Sequence, residues 1–454
     1  MNKLCSKYQP SYAGSAHVSR RTFLGGITAS TFASGVLGCG GVDRSVGHAD
    51  RRRFQSPISA PSGPMAMPGP FPGRVVEVSH SGSVTAGMRH RDAVKIMMDY
   101  GMGQLVPDAE TAVDAWRSFF HKGDRVAIKV VPVGKVAKPG PIRRGQGCVV
   151  DLKRPGSISS YEVVLEVIDG LTAAGVRLSD ILVTERYRDE FIEAGYNLIL
   201  PDGVHWECSS VRFDQPQLEI DGQIRGESRQ KNVSGYDRDI FRELSFCHPA
   251  EIHDPDDDRR FRSHLSKIVT QKVDKVVSIP VLKDHSTGGV TLALKNMSHG
   301  FHNNVSRSHV GADFPMTLNH CQTFIPAACS LPHMREKCVL QILDGLVGTY
   351  EGGPGNWNKT FATWEYKSLL LATDPVALDH IGWEILDAKR AQEGWPSVAR
   401  MGTDAQSGIE LETTGNGPTE SFHIRQPQHV PLAGLLGLGT FERHKIDHQR
   451  FDLG

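Results

Sequence analysis

From Arg74 to about residue 386 the chain alternates apolar runs of strand length with amphipathic helical stretches. That rhythm limits the fold more than any other feature. RVVEV at 74–78, RVAIKVVPV at 125–133 and DILVTE at 180–185 predict strands. So do KVDKVVSIPVL at 272–282, KCVLQILDG at 337–345 and SLLLAT at 368–373. Between or after them, RHRDAVKIMMDYG, SYEVVLEVIDGLTAAG, VTLALKNMSHG and DPVALDHIGWEIL carry apolar residues at helical spacing. Asp374 is a natural N-cap with Pro375 at the first helical position. Strand–helix alternation argues for an α/β fold with a largely parallel sheet and helices on both faces. The expected domain covers residues 73–402, with a loop-rich insertion at about 201–262 where the rhythm breaks. Within it, DPDDDRR at 254–260 reads as a solvated run. Residues 403–454 read as a C-terminal extension.

The N-terminal stretch HVSRRTFLGGITASTFASGVLGCGG has another logic. Arg20 and Arg21 precede a mildly apolar, Gly/Thr/Ser-rich segment, and Val36-Leu37-Gly38-Cys39 follows it. This order resembles a twin-arginine export signal over residues 1–39 ending in a lipobox. It predicts delivery by the twin-arginine machinery to the periplasm or cell envelope, with a lipid anchor on Cys39. A plain small-residue cleavage site is the alternative. Residues 40–72 are rich in Gly, Pro, Ser and Arg and read as a disordered tether. The chain has no net charge with His counted neutral, which gives no argument for a nucleic-acid partner. No apolar stretch reaches the ~20 residues of a spanning helix, so membrane contact is expected only through the anchor.

Ligands bind open α/β sheets at the carboxyl ends of the strands. The predicted strand ends carry Lys129, Glu185, Lys283, His285, Asp344 and Asp374. Gly288 and Gly289 would let the backbone turn tightly and approach a ligand, at the mouth of a helix whose first amides favour an anion. In that helix Lys295 and His299 stand at i,i+4, with Asn296 beside them. Lys283 and Lys295 are therefore expected to bind an anion or polarise a carbonyl, with Lys129 and Asn296 in the same catalytic group. His285 is expected to be the acid–base residue. Glu185, Gly288, Gly289 and Gly353 are expected on the substrate side, Gly353 from the Gly-rich loop GTYEGGPGNW at 348–357. That loop lacks the Lys-Ser/Thr of a phosphate loop.

Six histidines fall between His285 and His333, where 20 in 454 residues predicts about two. His299 and His302 stand at i,i+3, close enough to share a metal, with Asp313 and Cys321 nearby. Asp344, Asp374 and Asp379 are the carboxylates expected to orient the lysines or hold a divalent ion. Hydrogen-bonding histidines are the competing reading. The six cysteines after Cys39 form no CxxC pair and no iron–sulfur pattern, which favours buried thiols.

Three segments resemble one family, known as the domain-of-unknown-function family number 362. IPVLKDHSTGGVTLALKNMSHG resembles its strand–Lys–x–His loop followed by a Thr-Leu-Ala-Leu-Lys-Asn helix. ILDGLVGTYEGGPG resembles its Asp-Gly strand end and Gly-Pro-Gly loop, and LLLATDPVALDHIG its Asp-Pro-Val-Ala-x-Asp segment. Where the family usually has Lys-Pro-Asn, this chain keeps Lys129 but has Val130 and Val131. The resemblance spans about residues 75–390 and implies no particular reaction. Some members are joined to iron–sulfur modules; the cysteines here supply no such motif. Two functions fit these residues: an enzyme acting on a small anionic substrate, with a metal or redox cofactor as an option, or a tethered protein that captures an anionic ligand or partner without chemistry.

Overall fold

The computed structural model describes residues 63–136, 150–213, 218–244, 261–285, 287–309, 321–356, 360–398 and 427–454. The expected export signal with Arg20, Arg21 and Cys39, the DPDDDRR run, Cys148, Cys247, Asp313 and His320 lie outside the described residues.

The chain opens with β1 (Arg74–Ser79), the short hairpin β2 (Val84–Thr85) and β3 (Met88–Arg89), then α1 (Arg91–Leu105) and α2 (Ala112–Arg117). Next come β4 (Val126–Lys129), α3 (Tyr161–Ala173), β5 (Ile181–Tyr187), α4 (Arg188–Glu193), α5 (Tyr196–Ile199) and β6 (His205–Ser210). β7 (Tyr236–Glu243) and β8 (Arg262–Ser266) pair with each other. The central part is β9 (Lys275–Ser278), β10 (Val281–His285), β11 (Gly289–Val290), α6 (Leu292–Phe301), α7 (Cys321–Cys329) and α8 (Pro332–Lys337). It continues through β12 (Cys338–Glu351), β13 (Ala362–Trp364), β14 (Ser368–Ala372) and α9 (Pro375–Gln392). α10 (His429–Leu435) and β15 (Asp447–Asp452) close the chain.

The main sheet has 11 strands, with the order β15-β1-β14-β12-β9-β4-β5-β6 along its length. From β12 through β6 every pairing is parallel. β14 runs antiparallel to both β12 and β1. The fold is thus α/β with a mostly parallel mixed sheet. One core joins α1, α2 and α3 to the sheet through Met97, Trp116, Val167 and Ile128. The other joins α6, α7 and α9 through Met297, Ile325, Leu378 and Ala127. Neighbouring residues of β4 thus go to opposite cores, as the two-residue period of a strand requires.

Four details depart from the sequence expectations. The single strand expected at 272–282 is two, β9 and β10, interrupted at Ile279-Pro280. Proline cannot donate to a ladder, and its carbonyl accepts from Asp344 N at 2.8 Å while the chain shifts to the second half of β12. Residues 63–72, expected in the tether, pack on the domain: Met67 is fully buried and its amide donates to Arg335 O at 2.8 Å. The expected insertion contributes β6 to the main sheet. The C-terminal extension supplies β15, which pairs in parallel with β1 along Arg74–Ser79. Cys208, Cys321, Cys329 and Cys338 are buried, as expected. Among the described residues no helix is long and apolar enough to cross a membrane.

Candidate functional site

The site is built around α6, which packs across β4, β5, β9, β10 and β12. Its backbone can lie close to β4 because residue 300 is glycine. A Cβ there would stand 2.2 Å from Cε of Lys129. Lys129 is fully buried and its ammonium has three acceptors: Val130 O at 2.6 Å, Asn296 Oδ1 at 3.0 Å and the Glu185 carboxylate. Asn296 passes the network on to Ser278 Oγ at 3.0 Å. Burial pulls the Lys129 ammonium below its ordinary value, and Glu185 opposes that. Lys129, Glu185 and Asn296 therefore stand together, as one saturated network. All three ammonium protons already have protein acceptors.

Lys283 is equally saturated but on the other side of the sheet. Its ammonium donates to the carbonyls of Val133, Ser157 (2.8 Å) and Pro354 (3.2 Å). Burial lowers it to about 7, against the charges of Asp284 and Asp344. Asp344 accepts from Ser160 N at 2.6 Å and Leu346 N at 3.0 Å, and burial raises its carboxyl. Gly353 N donates to Asp284 Oδ1 at 2.7 Å, which pins the Gly-rich loop instead of leaving it to meet a substrate.

The expectation that Asp374 joins these groups rested on parallel strands, and the topology removes it. β14 is antiparallel to β12, with Ala372 opposite Gln341, so Asp374 emerges at the amino-terminal edge. There it caps α9 through Val376 N (3.0 Å) and Ala377 N (2.9 Å) and ties down Gly73 and Thr440. Asp379 takes the amides of Ala293 (2.7 Å) and Leu294 (3.0 Å) at the start of α6. The helix N-terminus expected to attract a ligand anion thus already holds the protein's own carboxylate. That contact also braces Leu292, whose φ of 39° is rare for a bulky residue.

A second cluster lies on the α6 face and is not saturated in this way. Lys295 is buried, and among the described residues the group within hydrogen-bond reach of its ammonium is His309 Nε2 at 3.3 Å. Burial lowers it to about 8; Cys321 opposes the drop, while the Arg186 guanidinium adds to it. Among the described residues no carboxylate forms an ion pair with Lys295 or with Arg186. Arg186 donates to His299 O at 2.9 Å and lies over the Tyr187 ring at 4.2 Å. The rings of His285 and His299 lie 5.6 and 5.2 Å from that of His309. His285 Nδ1 accepts the amides of Thr287 (3.0 Å) and Gly288 (3.1 Å), so the neutral ring carries its proton on Nε2. Gly289, at φ 74°, turns the chain against Pro427: a Cβ would meet Pro427 Cδ at 2.8 Å. Gly288 and Gly289 shape this turn with internal partners.

The metal expectation changes membership. His302 is separate: Nδ1 contacts Ser298 O at 2.7 Å, and burial lowers the ring to about 3. Among the described residues, the group that could hold a metal is His299, His309 and Cys321, whose ligating atoms all lie within 4.8 Å of one another. Burial holds both imidazoles well below their ordinary value, hence neutral.

Arg186 and His429 carried no expected role, and His309 entered only as one of the six clustered histidines weighed for a metal. Arg186 directly follows Glu185 at a strand end, which was a usable signal. His429 carried none. It is fully buried on α10, which packs on α7, and neither ring nitrogen has a partner among the described residues. A cavity of about 480 Å³ lined by Glu77, Trp364, Tyr366, Glu384 and His448 lies elsewhere, and no expected site residue lines it.

Residues 241–384 match the family model described as Domain of unknown function (DUF362). No curated protein matches the chain.

Proposed function

We propose that this DUF362-matching chain is an exported enzyme that binds a small anionic substrate against Lys295 and Arg186 at the carboxyl ends of the central strands. One observation carries the reading. Lys295 is a buried ammonium with a neutral imidazole as neighbour and no carboxylate ion-paired to it among the described residues. A buried cation without a counter-charge is costly, and a ligand carboxylate or phosphate would supply that charge. Lys129 and Lys283 make the contrast: each is surrounded by three protein acceptors and needs no ligand. His285, fixed with its proton on Nε2, would donate a hydrogen bond to the bound anion and polarise it.

Export by the twin-arginine route and anchoring at Cys39 belong to the same proposal and rest on the order of residues 19–39 alone. Replacing Arg20 and Arg21 by Lys should retain the protein in the cytoplasm, and Cys39→Ala should abolish fatty-acid labelling. Unchanged fractionation and labelling would remove both ideas.

The binding test is calorimetric titration of purified chain with inorganic phosphate and a panel of small mono- and dicarboxylates. At least one should bind, and Lys295→Met should lose it by ~100-fold while keeping the far-ultraviolet spectrum. His285→Asn should leave that binding in place and lose turnover. Equal affinity in a folded Lys295→Met variant would overturn the reading.

A further inference from the structure

The three ligating groups of His299, His309 and Cys321 come from different pieces of chain: α6, the turn after Val305, and the start of α7. Their closeness alone would be weak support. The hydrogen bonds behind the two imidazoles add a second, independent observation. His309 Nδ1 lies 3.3 Å from Val305 O, an acceptor that can only take a proton. His299 Nδ1 lies 3.1 Å from Ser298 Oγ, which in turn reaches Lys295 O at 3.3 Å. A consistent proton chain therefore runs from His299 Nδ1–H to Ser298 Oγ, and from Ser298 O–H to the Lys295 carbonyl. In that arrangement both Nε2 atoms are acceptors, His309 Nε2 facing Lys295 Nζ at 3.3 Å and His299 Nε2 facing Ser308 Oγ at 2.9 Å, and a cation would take the place of those donors. Metal-bound histidines are oriented in this manner, with the distal N–H held by a carbonyl or hydroxyl.

Ser308 sharpens the point. Its hydroxyl lies between His299 Nε2 (2.9 Å) and Cys321 Sγ (3.8 Å), and also 2.7 Å from Val305 O. Its proton goes to Val305 O, so its lone pairs can accept from His299 Nε2–H in one tautomer, and a metal on Nε2 would select the tautomer with the proton on Nδ1.

We propose that His299 Nε2, His309 Nε2 and Cys321 Sγ form a three-ligand Zn²⁺ site with the fourth position open toward Lys295. Two neutral imidazoles and one thiolate are a set that Zn²⁺ takes readily. Ligand atoms on a tetrahedral Zn²⁺ stand roughly 3.4–3.7 Å apart, so the present spacing needs only a small closure. Cys321 enters as its thiolate, and its proton is released to solvent on binding. The Zn²⁺ charge, reduced to one by the thiolate, adds to that of Lys295 and Arg186. The open position would therefore take a hydroxide or the substrate anion; this last step rests on the anion reading above.

The test uses metal-freed full-length chain titrated with Zn²⁺ in two buffers of different ionisation enthalpy, and with Co²⁺ followed by absorption. One Zn²⁺ per chain with about one proton released is expected, and Co²⁺ should show a thiolate charge-transfer band together with tetrahedral d–d bands. Cys321→Ser should remove that band and weaken Zn²⁺ by ~100-fold or more. Ser298→Ala should weaken it by about 10-fold. His302→Asn should leave it unchanged. Zn²⁺ binding that ignores Cys321→Ser and His309→Asn, or a Co²⁺ spectrum with no thiolate band, would overturn the site. The two readings fail separately. Phosphate or carboxylate binding by metal-free chain that takes up no Zn²⁺ sinks only the metal site. Stoichiometric Zn²⁺ on Cys321 with no anion response supports the metal site and sinks only the anion reading.

Discussion

Lys129→Met is the sharpest perturbation of the buried network under α6. The side chain is almost isosteric, so the change removes a charge and three donated hydrogen bonds with little loss of volume. Glu185 would keep its negative charge in a site that is 7 % exposed, and Val130 O and Asn296 Oδ1 would each lose their donor. Removing one member of a buried ion pair costs about 3–5 kcal/mol, because the partner is left uncompensated. Lys129→Met/Glu185→Leu removes that orphan charge. It should recover at least about 2 kcal/mol, leaving mainly the ~1–3 kcal/mol of the two unsatisfied oxygens. Lys95→Met is the internal control. Its ion pair with Asp99 has a similar geometry, 2.9 Å, but both side chains are about half exposed, so the loss should stay within about 0.5 kcal/mol. Urea unfolding of the wild type, Lys129→Met, Glu185→Leu, the double variant and Lys95→Met, with slopes compared, measures all of this. A loss under about 1 kcal/mol for Lys129→Met, or a double variant whose cost equals the sum of its singles, would refute the saturated-network argument.

Stability should rise with pH between about 7 and 10.5 through Lys283. Its folded value is about 7 against an ordinary 10.5, so the unfolded chain binds the extra proton across that window. Lys283→Met should flatten this slope, and an unchanged slope in urea midpoints across the window would contradict the burial argument. Gly300→Ala would ordinarily favour a helix by about 1 kcal/mol, but here the new methyl overlaps Lys129 Cε, so a loss of ~1–3 kcal/mol is expected from the unfolding midpoint; a gain would show that Lys129 can move aside. Asp379→Ala should cost about 1–2 kcal/mol by freeing the first amides of α6, yet leave Zn²⁺ stoichiometry unchanged, and a lost metal would return that aspartate to the site.

The layered fold was legible because periods of two and 3.6 are written directly into segments such as VAIK and YEVVLEVIDGL. Strand direction was not. Nothing in SLLLA distinguishes a parallel from an antiparallel neighbour, and the error at Asp374 followed from that alone. Proline at 280 carried a signal for the break between β9 and β10, since it removes a ladder donor, but the expectation of one strand over 272–282 passed it by. The density of histidines around α6 was visible too, but not their partnership. His299, His309 and Cys321 are 10 and 12 residues apart along the chain, a spacing that matches no short motif and is set by the turn at Ser306–Ser308. The deepest limit concerns lysine. Lys129, Lys283 and Lys295 look alike in sequence, each charged within an apolar run at a strand or helix. What separates them is the count of acceptors that distant segments bring among the described residues: three for Lys129, three for Lys283, and for Lys295 one imidazole and no carboxylate. Long-range topology decides that count, and the anion reading proposed for Lys295 rests on it.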